Sequence, residues 1–339
     1  MTPIHLSYEL SPEQKELSDK LVENYKKEID SLVFAVCGSG KTEIVLEVIK
    51  NAIEKGQKVG FCVPRRDVVR ELYLRFKNIF TKNYVVAVYG GNTARLEGDL
   101  ICLTSHQLFR YKDYFDLLIM DEVDAFPYQG NEVLQTFLQK AIKGHYVMMS
   151  ATPPKSLVEQ FKKKGKDILK LNVRFHKHPL PVPRIIKAHG IMKYYRLNQE
   201  LQRFLAQNKP IFVFTPTIEM CEKVHSVMRF LVKDVSYVHS KCSDRNERIE
   251  DFRKGKTKCL ITTAVLERGV TVKNLQVIVF NSDHKLYTSA ALVQIAGRAG
   301  RKKECPDGEV IFIAGSTTKE MEEAISDIKR ANLSLQSLL

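Results

Sequence analysis

Short apolar runs alternate with amphipathic stretches along almost the whole of this 339-residue chain. Each run is four or five residues long and rich in Val, Ile, Leu and Phe, which is typical of strands buried on both faces of a parallel sheet. The runs begin at residues 32, 59, 85, 100, 117 and 146, and again at 211, 235, 259, 277 and 310. Helix-like stretches such as 43–55 and 66–80 lie between them. The order strand, helix, strand predicts an α/β protein with two doubly wound parallel sheets in tandem.

Prolines interrupt this alternation in the middle of the chain. A Pro-Pro pair follows Thr152, and three more prolines fall within 179–183, where they disfavour both helix and central strand. At about 150 residues per domain, the length fits two domains. We therefore predict a first domain over 1–172, a proline-rich connector over 173–190 and a second domain over 191–339.

The charge balance predicts a polyanionic partner. Lys and Arg number 53 against 39 Asp and Glu, which gives a formal net charge of +14, and such an excess favours nucleic acid or another anionic surface. Ten basic residues against two acidic ones are concentrated within 155–187. This stretch is either a nucleic-acid contact or a solvated helix face.

Hydropathy and cysteine spacing limit the class of protein further. No run of about 18 apolar residues is present, and the first residues lack the pattern of a signal peptide. We therefore predict a cytoplasmic protein with no transmembrane segment of its own. The seven cysteines are widely spaced and form no CxxC pair, so we expect reduced core thiols and no zinc in this chain.

A glycine-rich turn follows the first apolar run and precedes the first helix-like stretch. In such a turn, the P-loop, consecutive backbone N–H groups converge on a phosphate at a helix N-terminus. We predict that Lys41 reaches the β- and γ-phosphates of ATP and that the Thr42 hydroxyl binds Mg²⁺. The residues predicted to bind the nucleotide in this turn are Cys37, Gly38, Ser39, Gly40, Lys41 and Thr42.

Two carboxylates follow the apolar run at 117–120. They would lie at the carboxyl end of a buried strand, where α/β sheets bind their ligands. We predict that Asp121 binds Mg²⁺ and that Glu122 polarises the attacking water. The alternative is a solvated acidic loop, and the P-loop upstream favours the catalytic interpretation.

Two arginines three residues apart in the second half supply positive charge. Negative charge builds on the γ-phosphoryl oxygens in the transition state of ATP hydrolysis, so a nucleotide between two domains needs a cation from the second one. We predict this role for Arg298 and Arg301, preceded by Gln294 in the same motif. The alternative is a pair of exposed surface arginines, which the particular spacing disfavours.

The order of these motifs resembles that of superfamily 2 helicases and translocases. Gly-x-Gly-Lys-Thr, Asp-Glu-x-Asp, Ser150-Ala151-Thr152 and Gln-x-x-Gly-Arg-x-Gly-Arg look like motifs I, II, III and VI. The resemblance implies two RecA-like domains, ATP with Mg²⁺, an adenine-reading Gln14 and a nucleotide contact at Gly269 in motif V. It also implies contacts to nucleic-acid phosphates with little sequence preference, at Arg65, Gly90, Gly91, Thr104, Thr215 and Thr262.

Within this superfamily the chain is similar to the ComFA family of late competence proteins. The segments that carry the similarity are 35–43, 121–127 and 174–183. The resemblance implies an ATP-driven motor that pulls transforming single-stranded DNA into the cell, working at the inner face of the membrane. It also implies a ComFC-type partner and a membrane DNA channel. Members of this family carry a four-cysteine zinc module ahead of the motor, whereas this sequence starts at the motor motifs, as a trimmed protein or a short member of the family would. The zinc, DNA binding and partner docking that this module provides are therefore not carried over to this chain.

Two other functions remain open from the sequence. The first is a helicase that unwinds duplexes, of the PriA or RecG type or acting on RNA, because these enzymes share the motor motifs. The second is a nucleotide-dependent scaffold that binds nucleic acid with little turnover. The presence of Glu122 and of both arginines favours turnover over the scaffold.

Overall fold

The computed structural model of the protein describes residues 9–35, 39–123, 132–151, 153–171, 178–263, 272–300 and 308–336. The chain divides into two compact units, Met1–Phe175 and His176–Leu339. This boundary falls inside the segment 173–190 that the prolines mark in the sequence. Each unit contains one sheet, and every strand pairing within it is parallel.

The sheet of the first unit has seven strands among the described residues, in the order β3-β4-β2-β5-β6-β1-β7. These strands are β1 Ser31–Ala35, β2 Val59–Val63, β3 Val85–Val88, β4 Leu100–Thr104, β5 Phe115–Asp121, β6 Ile142–Ser150 and β7 Asp167–Leu171. The helices are α1 Pro12–Lys26, α2 Lys41–Ile44, α3 Leu46–Glu54, α4 Arg66–Ile79, α5 Glu132–Ala141 and α6 Lys155–Lys163, with a 3-10 helix at Ser105–Arg110. Both faces of the central strands are buried, which explains why their sequences are continuous apolar runs.

Side chains that alternate along the strands of this sheet pack into two separate cores. Val33 and Ala35 of β1 contact the core formed with α1, α3 and α4, whereas Leu32 contacts the core formed with α5 and α6. This alternation follows from the two-residue period of a strand. Helices therefore cover both faces of the sheet, as predicted for a doubly wound domain.

The second unit repeats this architecture with the strand order β10-β11-β9-β12-β13-β8. Its strands are β8 Arg184–Lys187, β9 Ile211–Phe214, β10 Val235–Val238, β11 Cys259–Thr262, β12 Gln276–Phe280 and β13 Val310–Ala314. Its helices are α7 Ile191–Ala206, α8 Ile218–Met228, α9 Arg245–Arg253, α10 Ser289–Ala296 and α11 Lys319–Gln336. One core contains α9, α10 and α11, and the other contains α7 and α8. Met321, Ala324 and Ile328 of α11 are buried, so its apolar spacing serves docking within the unit.

Two edge strands differ from the sequence prediction. Neither β7 nor β8 was predicted, and β8 lies within the segment 173–190 that we assigned to the connector. It begins at Arg184, directly after Pro183. At a sheet edge only one side of a strand needs a partner, so a strand can form there as soon as the prolines end.

Part of the basic segment 155–187 is paired within its own unit. The ammonium of Lys166 donates to the Asp30 carboxylate and, at 2.7 Å, to the Tyr146 hydroxyl. Arg184 of β8 pairs with Glu200 of α7 at 2.9 Å. These two cations are engaged within their own units, so a contact with nucleic acid would depend on the other basic residues of the segment.

Buried free thiols agree with the prediction of reduced core cysteines. Cys62, Cys102, Cys221 and Cys259 are buried and form no disulfide, and burial raises the pKa of the Cys62 thiol to about 12. Cys37 and Cys305 lie outside the described residues. No helix in the described ranges is both long and apolar enough to cross a membrane.

Candidate active site

Gln14 fastens the start of α1 to the glycine-rich turn. Its backbone N–H donates to the Ser11 hydroxyl at 3.2 Å, and its Oε1 accepts from the Ser11 backbone at 2.9 Å, which is a capping box. Its Nε2 donates to the carbonyl of Ser39 at 2.7 Å. The buried side chain keeps one N–H and one lone pair beyond these bonds, so its adenine-reading role stays a prediction.

The described part of the glycine-rich turn fits a phosphate ligand. Gly40 has φ +78°, in the left-handed region, and directly precedes α2 as its N-cap. The Ser39 hydroxyl is buried and has no hydrogen-bond partner among the described residues. A buried unpaired hydroxyl costs free energy, and a phosphate oxygen would satisfy it. Cys37 and Gly38, which we also predict to bind the nucleotide, lie outside the described residues.

Replacing Gly40 by alanine should weaken ATP binding. A Cβ at this position would lie 2.5 Å from Gln14 Nε2, and the positive φ disfavours any side chain. We expect Gly40→Ala to lower the affinity for ATP by about 10-fold, because strain of this kind costs on the order of 1–3 kcal/mol. Titration with a fluorescent ATP analogue measures this change.

Gly56→Ala is the matched control for this prediction. Gly56 has φ +73°, but a Cβ there would meet nothing within 4 Å, and it lies at the end of α3, away from the turn. We expect Gly56→Ala to lower the melting temperature and to leave ATP affinity unchanged. Equal losses of ATP affinity in both variants would contradict the assignment of Gly40 to the site.

Lys41 and Asp121 meet at the carboxyl edge of the first sheet. Lys41 is the first residue of α2, Asp121 is the last residue of β5, and their Nζ and Oδ1 atoms are 3.6 Å apart. Both side chains are mostly buried, with exposed fractions of 16% and 15%. Thr42 follows Lys41, and hydroxyl and carboxylate oxygens are ligands that suit Mg²⁺. The residues present therefore fit Mg²⁺ held together with a phosphate.

Glu122 follows Asp121 in an unusual backbone conformation. Its φ is +60°, in the left-handed region that few residues other than glycine adopt. Its backbone N–H donates to Asp121 Oδ1 at 2.8 Å, which fixes the chain direction at the end of β5. Backbone conformations of this kind are concentrated at functional sites, which supports a functional role for this position.

Sequence reasoning missed an ion pair beside the turn. Glu43, directly after Thr42, accepts from the guanidinium of Arg75 on α4, and only 13% of the Glu43 side chain is exposed. The pair ties α2 to α4. The acidic residue after Thr42 was the only local signal, because its partner lies 32 residues away.

Part of the predicted nucleic-acid interface lies along the same edge of this sheet. Arg65 follows β2 and pairs with Asp67 at 3.1 Å. Gly90 and Gly91 form a tight turn after β3, where a Cβ on either glycine would meet nothing within 4 Å. Thr104, the last residue of β4, is buried. Arg65 and the two glycines are therefore accessible from the carboxyl edge, and the Thr104 side chain is not.

The two threonines predicted to contact nucleic acid from the second unit are fully buried. The Thr215 hydroxyl donates to the carbonyl of Thr262 at 3.1 Å, and the Thr262 hydroxyl donates to the carbonyl of Thr263 at 3.0 Å. Both hydroxyls are therefore engaged at the ends of β9 and β11. A contact of either hydroxyl with a phosphate would require these bonds to break, and the nucleic-acid role of the two threonines stays a prediction.

Gln294 and Arg298 lie on and just after α10. Gln294 is half-buried, and only 4% of Arg298 is exposed, which disfavours the alternative of an exposed surface arginine. An arginine is rarely buried to this extent unless it is paired. Arg301 and Gly269 lie outside the described residues, so their roles stay predictions.

Comparisons with known proteins identify the family. Residues 7–155 match the family model "Type III restriction enzyme, res subunit", and residues 193–303 match "Helicase conserved C-terminal domain". Competence protein ComFA of Bacillus subtilis (strain 168) is 38% identical over 334 residues, covering 95% of this chain and 72% of that protein. The chain belongs to the ComFA family. A second ComFA protein, from Streptococcus pneumoniae, is 32% identical over 335 residues, covering 96% of the chain and 77% of that protein.

Solved structures confirm the fold of this ComFA-family chain. Dbp5 of S. cerevisiae bound to RNA and ADP BeF3 has a TM-score of 0.69 at 18% identity, covering 95% of this chain and 92% of that one. Mss116p bound to ssRNA and AMP-PNP has a TM-score of 0.72 at 17% identity, covering 97% and 80%. The two RecA-like domains predicted for a ComFA-type helicase core are therefore confirmed.

Proposed function

We propose that this ComFA-family chain is a Mg²⁺-dependent ATPase that moves along single-stranded DNA and drives the uptake of transforming DNA. The pairing of Lys41 with Asp121 beside Glu122 at the carboxyl edge of a parallel sheet carries the proposal, because phosphate and metal chemistry needs these three groups together. Membership of a competence family supports the biological role. A ComFC-type protein and a membrane DNA channel are the partners that we propose, with the protein at the inner face of the membrane.

In this proposal, different residues of the first unit bind the phosphates, hold the metal ion and activate the attacking water. Lys41 binds the β- and γ-phosphates, and Thr42 and Asp121 hold Mg²⁺, which when bound neutralises charge on the phosphate oxygens. Glu122 orients a water molecule and accepts its proton during attack on the γ-phosphorus. Gln14 and Gly40 keep the turn in the shape that receives the phosphates.

The second unit contributes cations to the same reaction in this proposal. Arg298 and Arg301 stabilise the charge that develops on the γ-phosphoryl oxygens, with Gln294 and Gly269 as further nucleotide contacts. The burial of Arg298 supports this role, because an arginine in a dry environment stabilises developing charge more strongly than one in water.

Nucleic-acid specificity of the ATPase tests the proposed function. We expect single-stranded DNA to stimulate ATP hydrolysis several-fold more than duplex DNA or RNA, measured at one fixed salt concentration, because backbone affinity depends steeply on salt. Displacement of streptavidin from a biotinylated strand then tests movement along DNA. Stronger stimulation by RNA, or strand separation on blunt duplexes, would favour a helicase instead, and hydrolysis that no nucleic acid stimulates would favour a scaffold.

A further inference from the structure

An arginine and a tyrosine form a contact beside the Gly90–Gly91 turn that none of the motifs above assigns. Arg70, on the first half of α4, donates from Nε to the Tyr89 hydroxyl at 2.9 Å. Its guanidinium carbon lies over the Tyr89 ring, 5.0 Å from the ring centre, in a cation–π contact. Arg70 is exposed and Tyr89 is half-buried, so this contact lies at the surface of the first unit.

Packing and hydrogen bonds hold the Tyr89 ring in one place. Part of the side chain packs against the core shared by α1, α3 and α4, and Arg70 holds the hydroxyl. The backbone is fixed as well, because Tyr89 exchanges hydrogen bonds with Asn92 across the turn at 3.2 and 2.8 Å. A ring fixed in this way loses little conformational entropy when a ligand stacks on it.

The surroundings of the ring suit a single strand of nucleic acid. Gly90 and Gly91 have open space beside them, so a phosphate backbone can approach closely. Arg66 lies one helical turn before Arg70 on the exposed face of α4, and both guanidiniums can bind phosphate. A cationic surface beside an aromatic ring is the combination that binds single strands without reading their sequence.

We propose that Tyr89 is a stacking platform for one base of single-stranded DNA and that Arg70 binds the adjoining phosphate. The proposal rests on the proposed function, since it assumes that the protein binds single-stranded DNA. It adds a base-contacting side chain to an interface that the sequence motifs describe only through backbone and phosphate contacts. Stacking does not depend on hydrogen-bond patterns of the bases, so all four bases should be accepted.

Binding of DNA oligonucleotides with and without bases distinguishes the stacking role of Tyr89 from the phosphate-binding role of Arg70. We expect Tyr89→Ala to weaken binding of a dT oligonucleotide by about 5- to 100-fold, the range found when a stacking aromatic residue is removed. The same variant should bind an abasic strand of equal length as well as wild type does. Arg70→Ala should weaken both strands and reduce the slope of log affinity against log salt by about 0.7, the value for one phosphate contact on a single strand.

Three further variants control for folding and for the hydroxyl. Tyr89→Phe keeps the ring and its packing but loses the bond to Arg70, so it should retain most of the affinity for the dT strand. Tyr89→Leu keeps apolar packing without a flat π-face and should bind like Tyr89→Ala. Tyr73→Ala removes a ring from α4 that packs against the same core and lies under Lys77 at 5.9 Å. Tyr73 lies further along α4, away from the Gly90–Gly91 turn, so we expect this variant to bind both strands normally.

The failure of this inference differs from the failure of the proposed function. If wild type binds single-stranded DNA and Tyr89→Ala binds it equally well, or loses as much affinity for the abasic strand, the stacking role is wrong. A loss for Tyr73→Ala equal to that for Tyr89→Ala would also overturn it, as would a loss confined to RNA. If wild type itself binds no single-stranded DNA, the proposed function fails first.

Discussion

Glu122→Gln should reduce the turnover of ATP by about 100- to 10,000-fold, the range that a general base contributes. Glutamine has nearly the same shape as glutamate but cannot accept the proton of the attacking water. The backbone at residue 122, with φ +60° and its N–H bonded to Asp121, should persist because the substitution leaves the main chain unchanged. Steady-state phosphate release measures the effect.

Binding measurements show whether the loss of turnover in Glu122→Gln comes from the hydrolysis step or from weaker binding of ligands. We expect Glu122→Gln to bind the ATP analogue and single-stranded DNA within about twofold of wild type, because neither ligand depends on the proton acceptor. Glu132→Gln, which neutralises an exposed carboxylate at the start of α5, is the matched control and should hydrolyse ATP normally. Turnover by Glu122→Gln near the wild-type rate would rule out Glu122 as the base.

Lys41→Ala should lose both ATP affinity and turnover. A hydrogen bond to a charged group is worth about 1.5–3 kcal/mol, so we expect the affinity for ATP to fall by about 10- to 100-fold. The rate at saturating ATP should fall by a further factor of about 100 to 1,000, because Lys41 also stabilises charge in the transition state. Titration of ATP binding and of initial rates separates the two effects.

The comparison between the two variants is the sharper test. Glu122→Gln keeps ATP affinity, whereas Lys41→Ala loses it, because one residue acts on the water and the other on the phosphates. Lys50→Ala removes a lysine of α3 that pairs with Glu47 outside the turn and should behave like wild type. Unchanged ATP affinity in Lys41→Ala would show that the phosphates bind elsewhere.

The central strands could be predicted from sequence because burial on both faces leaves a continuous apolar run. The interior strands β2, β9 and β11 begin at the predicted residues 59, 211 and 259. The edge strands β7 and β8 were missed because their sequences, Asp-Ile-Leu-Lys-Leu and Arg-Ile-Ile-Lys, carry charges at partly exposed positions. An edge strand can carry charges because one of its sides faces solvent, so it need not contain a continuous apolar run; the other two edge strands, β3 and β10, do contain apolar runs and were predicted.

The sequence motifs indicated which residues belong to the candidate site, but they did not indicate which of these residues are in contact with each other. The bond from Gln14 to the Ser39 carbonyl spans 25 residues, and the contact between Arg70 and Tyr89 spans 19. Such contacts depend on strand order and helix register. The burial of Thr215 was likewise hidden, because a threonine ending an apolar run looks the same whether its hydroxyl faces solvent or a neighbouring carbonyl.

In the first unit, the residues proposed to bind ATP and those proposed to bind DNA follow strands of one continuous hydrogen-bonded sheet. The glycine-rich turn follows β1, Asp121 ends β5 with Glu122 directly after it, and Arg65 follows β2. The Gly90–Gly91 turn follows β3, and every neighbouring pair of strands from β1 to β3 is hydrogen-bonded. Five strand spacings of about 4.8 Å separate β1 from β3, which sets a span of about 24 Å between the two ends. Lengthening this span would require hydrogen bonds between neighbouring strands to break. Within the first unit, the proposed ATP-binding residues after β1 and the proposed DNA-binding turn after β3 therefore keep a constant separation.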